Sequence, residues 1–222
     1  MSDVRQTNKQ TNRQTGRPAN RQTGPSPWAL RRRQRDADAL EAALGKLPKP
    51  SPKPALVVLV GLPGSGKSYF ARELARRHPF AVLDSDALRQ SLFRNPRHTL
   101  AEHARLFPAQ HLLLERLLAR GISAIADATN LKEANRRPLY ELAQRHGAEL
   151  LIVRLAAPAA VIRARLKDRT QAPHPEDRST ADLDVFRAMR QTAERVRRPH
   201  VNVDTSRDIG PALDNIVRQL QS

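Results

Sequence analysis

A short glycine-rich stretch that ends in lysine and serine is the strongest candidate for chemistry in this sequence. Residues 61–68 read GLPGSGKS, which matches the pattern G-x-x-x-x-G-K-S between a strand-like and a helix-like segment. Glycines let the backbone bend tightly around an anion, and successive N–H groups of such a loop surround phosphate oxygens. Lys67 would reach the β- and γ-phosphates, and the Ser68 hydroxyl would take one Mg²⁺ position. The pattern predicts a site for ATP and Mg²⁺ formed by Gly61, Leu62, Pro63, Gly64, Ser65, Gly66, Lys67, Ser68 and Tyr69.

A carboxylate and a guanidinium follow the next predicted strand. Asp86 and Arg89 are three residues apart, which places them on one face of a helical turn. Asp86 could accept the proton of an attacking hydroxyl, and Arg89 could hold a phosphate of the acceptor or the migrating phosphoryl group. Asp84 is a rival for the role of the base. The alternative for the pair is a helix-capping aspartate beside a surface arginine.

Three further groups of residues extend this set. Asp127 ends an apolar segment that we predict to be a buried strand, where it could face Mg²⁺ directly or through water, with a turn aspartate as the alternative. Arg165 and Arg169 are four residues apart on one predicted helix, and could close over the triphosphate or form a solvated basic face. The histidines show no metal-ligand spacing and are interpreted as surface residues, among them His98, His103 and His111.

An alternation of strands and helices from Ala55 onward can bring these groups together. It predicts an α/β fold with an open parallel sheet and helices on both faces. The predicted strands cover 55–60, 80–83, 122–126, 148–155 and 200–203. The predicted helices cover 67–77, 87–93, 99–120 with a break considered at Pro108, 130–146 with an Asn130–Glu133 capping box, 159–169, 181–198 and 211–220, with a loop over 171–180. Because ligands lie beyond the carboxyl ends of such strands, the candidate residues should share one cleft.

The residues before Ala55 are organised differently. Residues 1–25 repeat a short basic pattern with almost no apolar residues, which predicts a disordered tail that is either a nucleic-acid-binding arm or a passive leader. Residues 26–54 are predicted to hold a helix over 29–47, started by Ser26 and Pro27, and a proline-rich linker over 46–54. That helix could dock on the folded domain, residues 55–222, or stay loose.

Composition excludes some classes of protein and favours others. The 222 residues contain no cysteine, so disulfides, thiol nucleophiles and Cys-ligated zinc are excluded. No apolar run reaches the roughly 20 residues of a membrane helix, and no secretory segment is present, so we expect a cytoplasmic protein. The formal net charge of +17 favours a polyanionic partner, with a solvated basic surface as the alternative.

Five segments together resemble the P-loop kinases typified by phage polynucleotide 5′-hydroxyl kinase, which are AAA-type ATP-binding kinases. They are GLPGSGKSYFARE, DSDALRQSL, IADATNLKEANRR, RLKDR and DVFRAM, and they span about Val57–Met189. The resemblance implies a P-loop NTPase fold with strand order 2-3-1-4-5 and a kinase domain over residues 55–222. It also implies that Asp86 is the general base, that Arg89 lies near the acceptor phosphate, and that Arg165 and Arg169 form a lid over the ATP phosphates.

We therefore expect an ATP- and Mg²⁺-dependent kinase that transfers the γ-phosphoryl group to a hydroxyl. The leading acceptor is a polynucleotide 5′-OH, which makes DNA or RNA the expected partner. One alternative is a small-molecule kinase for a nucleoside, sugar or antibiotic hydroxyl, because the resembling family includes such enzymes and residues 93–108 do not identify the acceptor. The other is a nucleic-acid-binding ATP switch that has no acceptor.

Overall fold

A parallel sheet of five strands runs through the part of the chain that the computed structural model describes, residues 24–171 and 183–221. The strands are β1 Ala55–Val60, β2 Ala81–Asp84, β3 Ala124–Asp127, β4 Glu149–Ala156 and β5 Val201–Asp204. Every neighbouring pair is parallel, and the order β2-β3-β1-β4-β5 confirms the predicted order. Most of the predicted tail, residues 1–23, and most of the predicted loop, residues 172–180, lie outside the described residues.

Helices connect the strands and flank the sheet. Their bounds are α1 Pro27–Ala43, α2 Lys67–Arg77, α3 Ser85–Leu92, α4 Leu100–Ala119, α5 Glu133–Arg145, α6 Ala159–Gln171, α7 Leu183–Thr192 and α8 Gly210–Gln221. Helix α4 continues through Pro108 without the break that its sequence suggested. Among the described helices, none combines the length and the hydropathy that crossing a bilayer requires.

Strand β1 shows why helices cover both faces of the sheet. All six of its residues are buried, and successive side chains point to opposite faces. Leu56, Val58 and Val60 belong to an apolar cluster with residues of α1, α4 and α5. The alternate residues of β1, such as Val57 and Leu59, belong to a second cluster with residues of α2 and α8. Burying each Leu or Val contributes roughly 1.5–3 kcal/mol, so the two clusters fix the position of the strand that leads into the glycine-rich loop.

Helix α1 docks on the folded domain. It begins at Pro27, with the Ser26 side chain accepting a hydrogen bond from Ala29 N–H as predicted, and it ends at Ala43, earlier than predicted. Leu40 is fully buried in the same apolar cluster as β1, and α1 packs against α3 and α4. After α1 the chain returns across the domain, where Ser51 N–H donates to Gly121 O at 2.7 Å. The division of the chain at residue 54 stays a prediction.

Two predicted helix boundaries were wrong for tertiary reasons. The helix predicted over 181–198 ends at Thr192 within the described residues, because Glu194 N–H donates to Leu131 O and Val196 enters the core. The Asn130–Glu133 capping box does not form, since Lys132 is the N-cap residue of α5. Asn130 instead adopts a left-handed conformation and donates its side-chain amide to Leu59 O at 2.8 Å.

Candidate active site

The loop between β1 and α2 has the backbone shape of an anion site. Gly64 and Gly66 have φ angles of +76° and +81°, which side chains disfavour. Gly66 is the N-cap residue of α2 and supplies no side-chain cap, so the first N–H groups of the helix are left for a ligand. The Lys67 ammonium donates to Leu62 O at 3.1 Å across the loop. The lysine therefore lies over the same concave backbone that would surround phosphates.

Two residues, Thr205 directly after β5 and Arg165 of α6, bind the carbonyl groups of this loop. The Thr205 hydroxyl donates to Ser65 O at 3.0 Å, and a Cβ at Gly66 would lie 3.3 Å from the Thr205 side chain. The Arg165 guanidinium donates to Thr205 O at 2.6 Å and to Gly64 O at 3.4 Å. Arg165 thus lies against the loop, and its role over the triphosphate stays a prediction. The Arg169 side chain lies outside the described residues.

Thr205 was missed by the sequence analysis. Its importance comes from a hydrogen bond between its side-chain hydroxyl and the carbonyl of Ser65 in the glycine-rich loop, 140 residues away in the chain. No local pattern around a threonine at the end of a short strand predicts that pairing.

Two aspartates end neighbouring strands beside the loop. Asp84 and Asp127 are register partners in β2 and β3. Burial, reinforced by the negative charges of Asp84 and Asp86, raises the pKa of Asp127 to about 7, although Lys67 and a hydrogen bond with Ser68 oppose the shift. The loop and the ends of β2 and β3 therefore place these five side chains in one cleft.

The Asp127 carboxylate meets the requirements of a metal ligand. Asp127 is only 3% exposed, and its Oδ2 atom is buried without a hydrogen-bond partner. A buried oxygen without a partner is costly unless something binds it, and carboxylate and hydroxyl oxygens suit Mg²⁺. In the described part of the chain, no group of three or more His, Asp or Glu side chains could hold a metal by itself. Ser68 and Asp127 thus have the oxygen chemistry that suits Mg²⁺, and their role as its ligands stays a prediction.

Asp84 and Asp86 have different structural positions at the start of α3. Asp84 is the N-cap residue, and its Oδ1 atom accepts hydrogen bonds from Asp86 N–H at 2.9 Å and Ala87 N–H at 3.2 Å. The capping role considered for Asp86 therefore belongs to Asp84. Asp86 lies half-buried in the first helical turn, where its carboxylate is not used by the cap.

Arg89 is held by an acidic residue that the sequence analysis missed. Arg89 is buried rather than on the surface, and it donates to the Glu102 carboxylate of α4 at 3.1 Å. The same carboxylate accepts the N–H groups of Arg97 and His98, each at 2.8 Å. These bonds lower the pKa of Glu102, the Arg97 N–H bond contributing most. Because Glu102 stands three residues after the Thr99 cap, a capping-box pattern was the available signal.

The turn after β3 is fixed by another missed residue, Arg136 of α5. Arg136 is fully buried and donates to Asn130 O at 2.8 Å and Arg195 O at 3.2 Å. The same turn accepts Gly61 N–H through Thr129 O at 3.1 Å. Arg136 therefore locks the segment after Asp127 against the start of the glycine-rich loop.

The histidines are less exposed than the sequence predicts. His98 is exposed, but His103 and His111 are half-buried. Burial lowers the pKa of His103, and burial together with Arg33 lowers the pKa of His111 to about 4. Interpreting these two as surface residues was wrong, because α4 turns them toward α3 and α1.

Comparison with known proteins agrees with this geometry. A family model described as AAA domain matches residues 56–196, more than half of the chain. No protein with a curated description matches the chain. Solved structures with 17–22% sequence identity share its fold, which is that of P-loop kinases, and at this identity the likeness shows the fold alone.

Three solved structures illustrate the likeness. The APS kinase CysC of Mycobacterium tuberculosis, solved with AMPPNP and APS, is 21% identical with a TM-score of 0.54, over 78% of this chain and 100% of that one. Kti12 of Chaetomium thermophilum, solved with ADP-AlF3, is 17% identical with a TM-score of 0.59, over 75% and 97%. A gluconokinase of Sinorhizobium meliloti 1021 is 22% identical with a TM-score of 0.53, over 76% and 96%.

Proposed function

Because this chain belongs to the AAA domain family and has a P-loop kinase-like fold, we propose that it is an ATP- and Mg²⁺-dependent phosphotransferase with a hydroxyl acceptor. One observation carries the proposal. The carboxylates of Asp86 and Asp127 lie in the same cleft as Lys67 and Ser68, at the mouth of a loop shaped for phosphates.

Each part of the cleft has a distinct role in the proposal. The N–H groups of the loop and the start of α2 bind the triphosphate, and Lys67 neutralises its β- and γ-phosphates. A Mg²⁺ ion held by Ser68 and Asp127 would balance charge on the phosphates. These groups orient the γ-phosphorus toward the side of the cleft that α3 forms.

Asp86 is the proposed general base. Its carboxylate accepts the proton of the acceptor hydroxyl while the acceptor oxygen forms a bond to the γ-phosphorus. The bond between that phosphorus and the bridging oxygen breaks, and ADP leaves with the electron pair. Asp84 is unsuited to this role because its Oδ1 atom is occupied by the N–H groups that it caps.

Arginines stabilise the charge that moves in this step. Arg89 lies one turn after Asp86, and its Nε atom is buried without a partner, so it retains a donor for a phosphate oxygen. Arg165 and Arg169 of α6 are proposed to bind the nucleotide phosphates from the opposite side. Arg165 already contacts the loop through Gly64 O.

A polynucleotide 5′-hydroxyl is the acceptor that we favour. Exposed basic residues lie along the acceptor side, with Arg94, Arg97 and His98 between α3 and α4 and Arg31 and Arg35 on α1. Such a surface attracts a phosphate backbone, and the motif resemblance to polynucleotide kinases supports the same choice. A small-molecule hydroxyl is the second candidate, because APS kinase and gluconokinase are among the proteins that share the fold.

The experiment offers γ-labelled ATP with a 5′-hydroxyl oligonucleotide and, separately, with nucleosides, sugars and aminoglycosides. We expect label on the oligonucleotide, and a KM for it that rises steeply with salt because phosphate contacts release counterions. Label on a small molecule alone would move the assignment to the second candidate. ATP hydrolysis without transfer to any acceptor would contradict the proposal and favour an ATP switch.

A further inference from the structure

Helix α1 lies outside the residues that the family model matches, yet it packs on the acceptor side of the cleft. Its main partner is α4, which contains Pro108 at mid-length. Proline has no N–H group, so it cannot bond the carbonyl four residues earlier, and the helix is weakened there. The half of α4 before Pro108 carries Glu102, which holds Arg89. What keeps that half in place therefore matters to the site.

Side chains of α1 contact α4 on both sides of the proline. Arg33 Nε donates to Pro108 O at 2.8 Å. Before the proline, Arg105 donates two hydrogen bonds of 2.7 Å each to the Asp36 carboxylate. After it, Asp38 accepts a hydrogen bond of 2.7 Å from Arg116. Helix α1 thus contacts α4 both before and after Pro108, where α4 lacks a backbone hydrogen bond.

The Asp36–Arg105 pair is the most buried and best aligned of these contacts. The side chain of Asp36 is 7% exposed, whereas that of Asp38 is 59% exposed. A two-point carboxylate–arginine pair fixes direction as well as distance. The hydrogen bond to Asp36 raises the pKa of Arg105. The pair therefore holds the first half of α4 in one orientation, which the exposed pair at Asp38 does not do.

From Arg105 the contacts lead to the proposed catalytic groups. The Arg105 guanidinium lies 5.1 Å from the centre of the Phe93 ring, which directly follows α3. Glu102, one turn before Arg105, binds Arg89 and the N–H groups of the loop between α3 and α4. Moving the first half of α4 would thus move Arg89.

We propose that Asp36 is a positioning residue for the acceptor side of the cleft, acting through Arg105. It fixes the first half of α4, and with it Arg89 and the loop over residues 93–99. The inference rests on the proposed phosphotransfer, because it assigns Asp36 an effect on acceptor use. It predicts that losing the pair impairs acceptor use while leaving nucleotide binding intact, since α1 packs on α3 and α4.

The kinetic test compares Asp36→Asn with Asp38→Asn, a matched change on the same helix. Asp36→Asn should lower kcat/KM for the oligonucleotide by about ten- to a hundredfold, because small displacements of reacting groups are that costly. The KM for ATP should stay within about twofold, and Asp38→Asn should match the wild type. Arg105→Lys, which keeps the charge but loses the two-point bond, should show a smaller loss in the same direction.

Amide exchange measured by NMR supplies a second readout that needs no acceptor. In Asp36→Asn, the N–H groups of Arg97 and His98 should exchange at least about tenfold faster, while those of residues 112–119 keep their wild-type rates. Equal acceleration along the whole chain, or equal losses toward ATP and acceptor, would make Asp36 a stabilising residue only and would overturn the proposal.

The two readouts separate this inference from the proposed function. If the wild type phosphorylates no acceptor, the proposed function fails, and the exchange data still decide whether Asp36 holds the loop. If Asp36→Asn does not fold, Arg105→Lys carries both measurements. Unchanged exchange and unchanged kcat/KM in Arg105→Lys would then overturn the inference.

Discussion

The two sides of the cleft differ in what forms them: one is a backbone loop, and the other is held by side-chain ion pairs. The proposed nucleotide side is one continuous stretch between β1 and α2, where glycines shape the backbone. The proposed acceptor side combines α3, α4 and α1, and side-chain ion pairs such as Arg89–Glu102 and Arg105–Asp36 hold it. A site made of backbone should tolerate side-chain changes nearby and fail when the backbone is altered. A site held by ion pairs should show the reverse.

A substitution at Gly66 tests the backbone side of this comparison. We expect Gly66→Ala to lower nucleotide affinity by about ten- to a hundredfold, because the change strains φ and brings a Cβ to 3.3 Å from Thr205. Gly147→Ala is the matched control, since Gly147 also has a positive φ but faces open space. Both variants should lose about 1–2 kcal/mol of unfolding free energy. Calorimetric titration with ADP measures the affinity, and equal affinities in the two variants would contradict the backbone account.

On the acceptor side, Arg89→Lys should have a smaller and different effect. Lysine keeps the charge beside Glu102 but loses the forked donors, so we expect kcat/KM for the acceptor to fall about tenfold. Nucleotide affinity should not change. Arg137→Lys, a change at an exposed position of α5, is the control and should match the wild type. A loss of nucleotide affinity in Arg89→Lys would show that the two sides are not built independently.

The next prediction concerns acid stability at the α1–α4 contact. The folded pKa of His111 is lowered to about 4, so the unfolded chain, with a pKa near 6.5, binds the proton more tightly. His111 therefore contributes no penalty above about pH 6.5, and stability falls as pH drops from there toward 4. The loss should be on the order of 2–3 kcal/mol near pH 4.

His111→Gln should remove that part of the acid sensitivity. Urea unfolding at pH 7 and pH 4.5 measures it, with His98→Gln as the control because His98 is exposed. An identical fall in stability for the wild type and His111→Gln would show that other groups cause the acid loss.

The same contrast explains what the sequence can predict. The glycine-rich loop, the strand before it and the aspartates at strand ends follow from local patterns, because backbone conformation and hydrophobic alternation depend on nearby residues. The sheet order came from the motif resemblance and is confirmed. Glu102, Asp36 and Thr205 were not predicted, since each acts through a partner that is distant in the chain or outside the motif.

Asn130 shows how a local pattern can mislead. Asn130 and Glu133 have the spacing of a capping box, but the buried Arg136 binds both Asn130 O and the Glu133 carboxylate. Hydrogen bonds to a fully buried guanidinium outweigh a cap of about 1 kcal/mol. The Asn130 side-chain amide instead donates a hydrogen bond to the Leu59 carbonyl of β1.

The central claim is that Asp86 activates an acceptor beside a loop that binds ATP on its own. The direct test measures label transfer from γ-labelled ATP and ADP affinity in Asp86→Asn, with Asp214→Asn, an exposed residue of α8, as the control. The account predicts that kcat falls by about 10²–10⁴-fold in Asp86→Asn, while ADP affinity stays within about twofold. Label transfer near the wild-type rate in Asp86→Asn would contradict it.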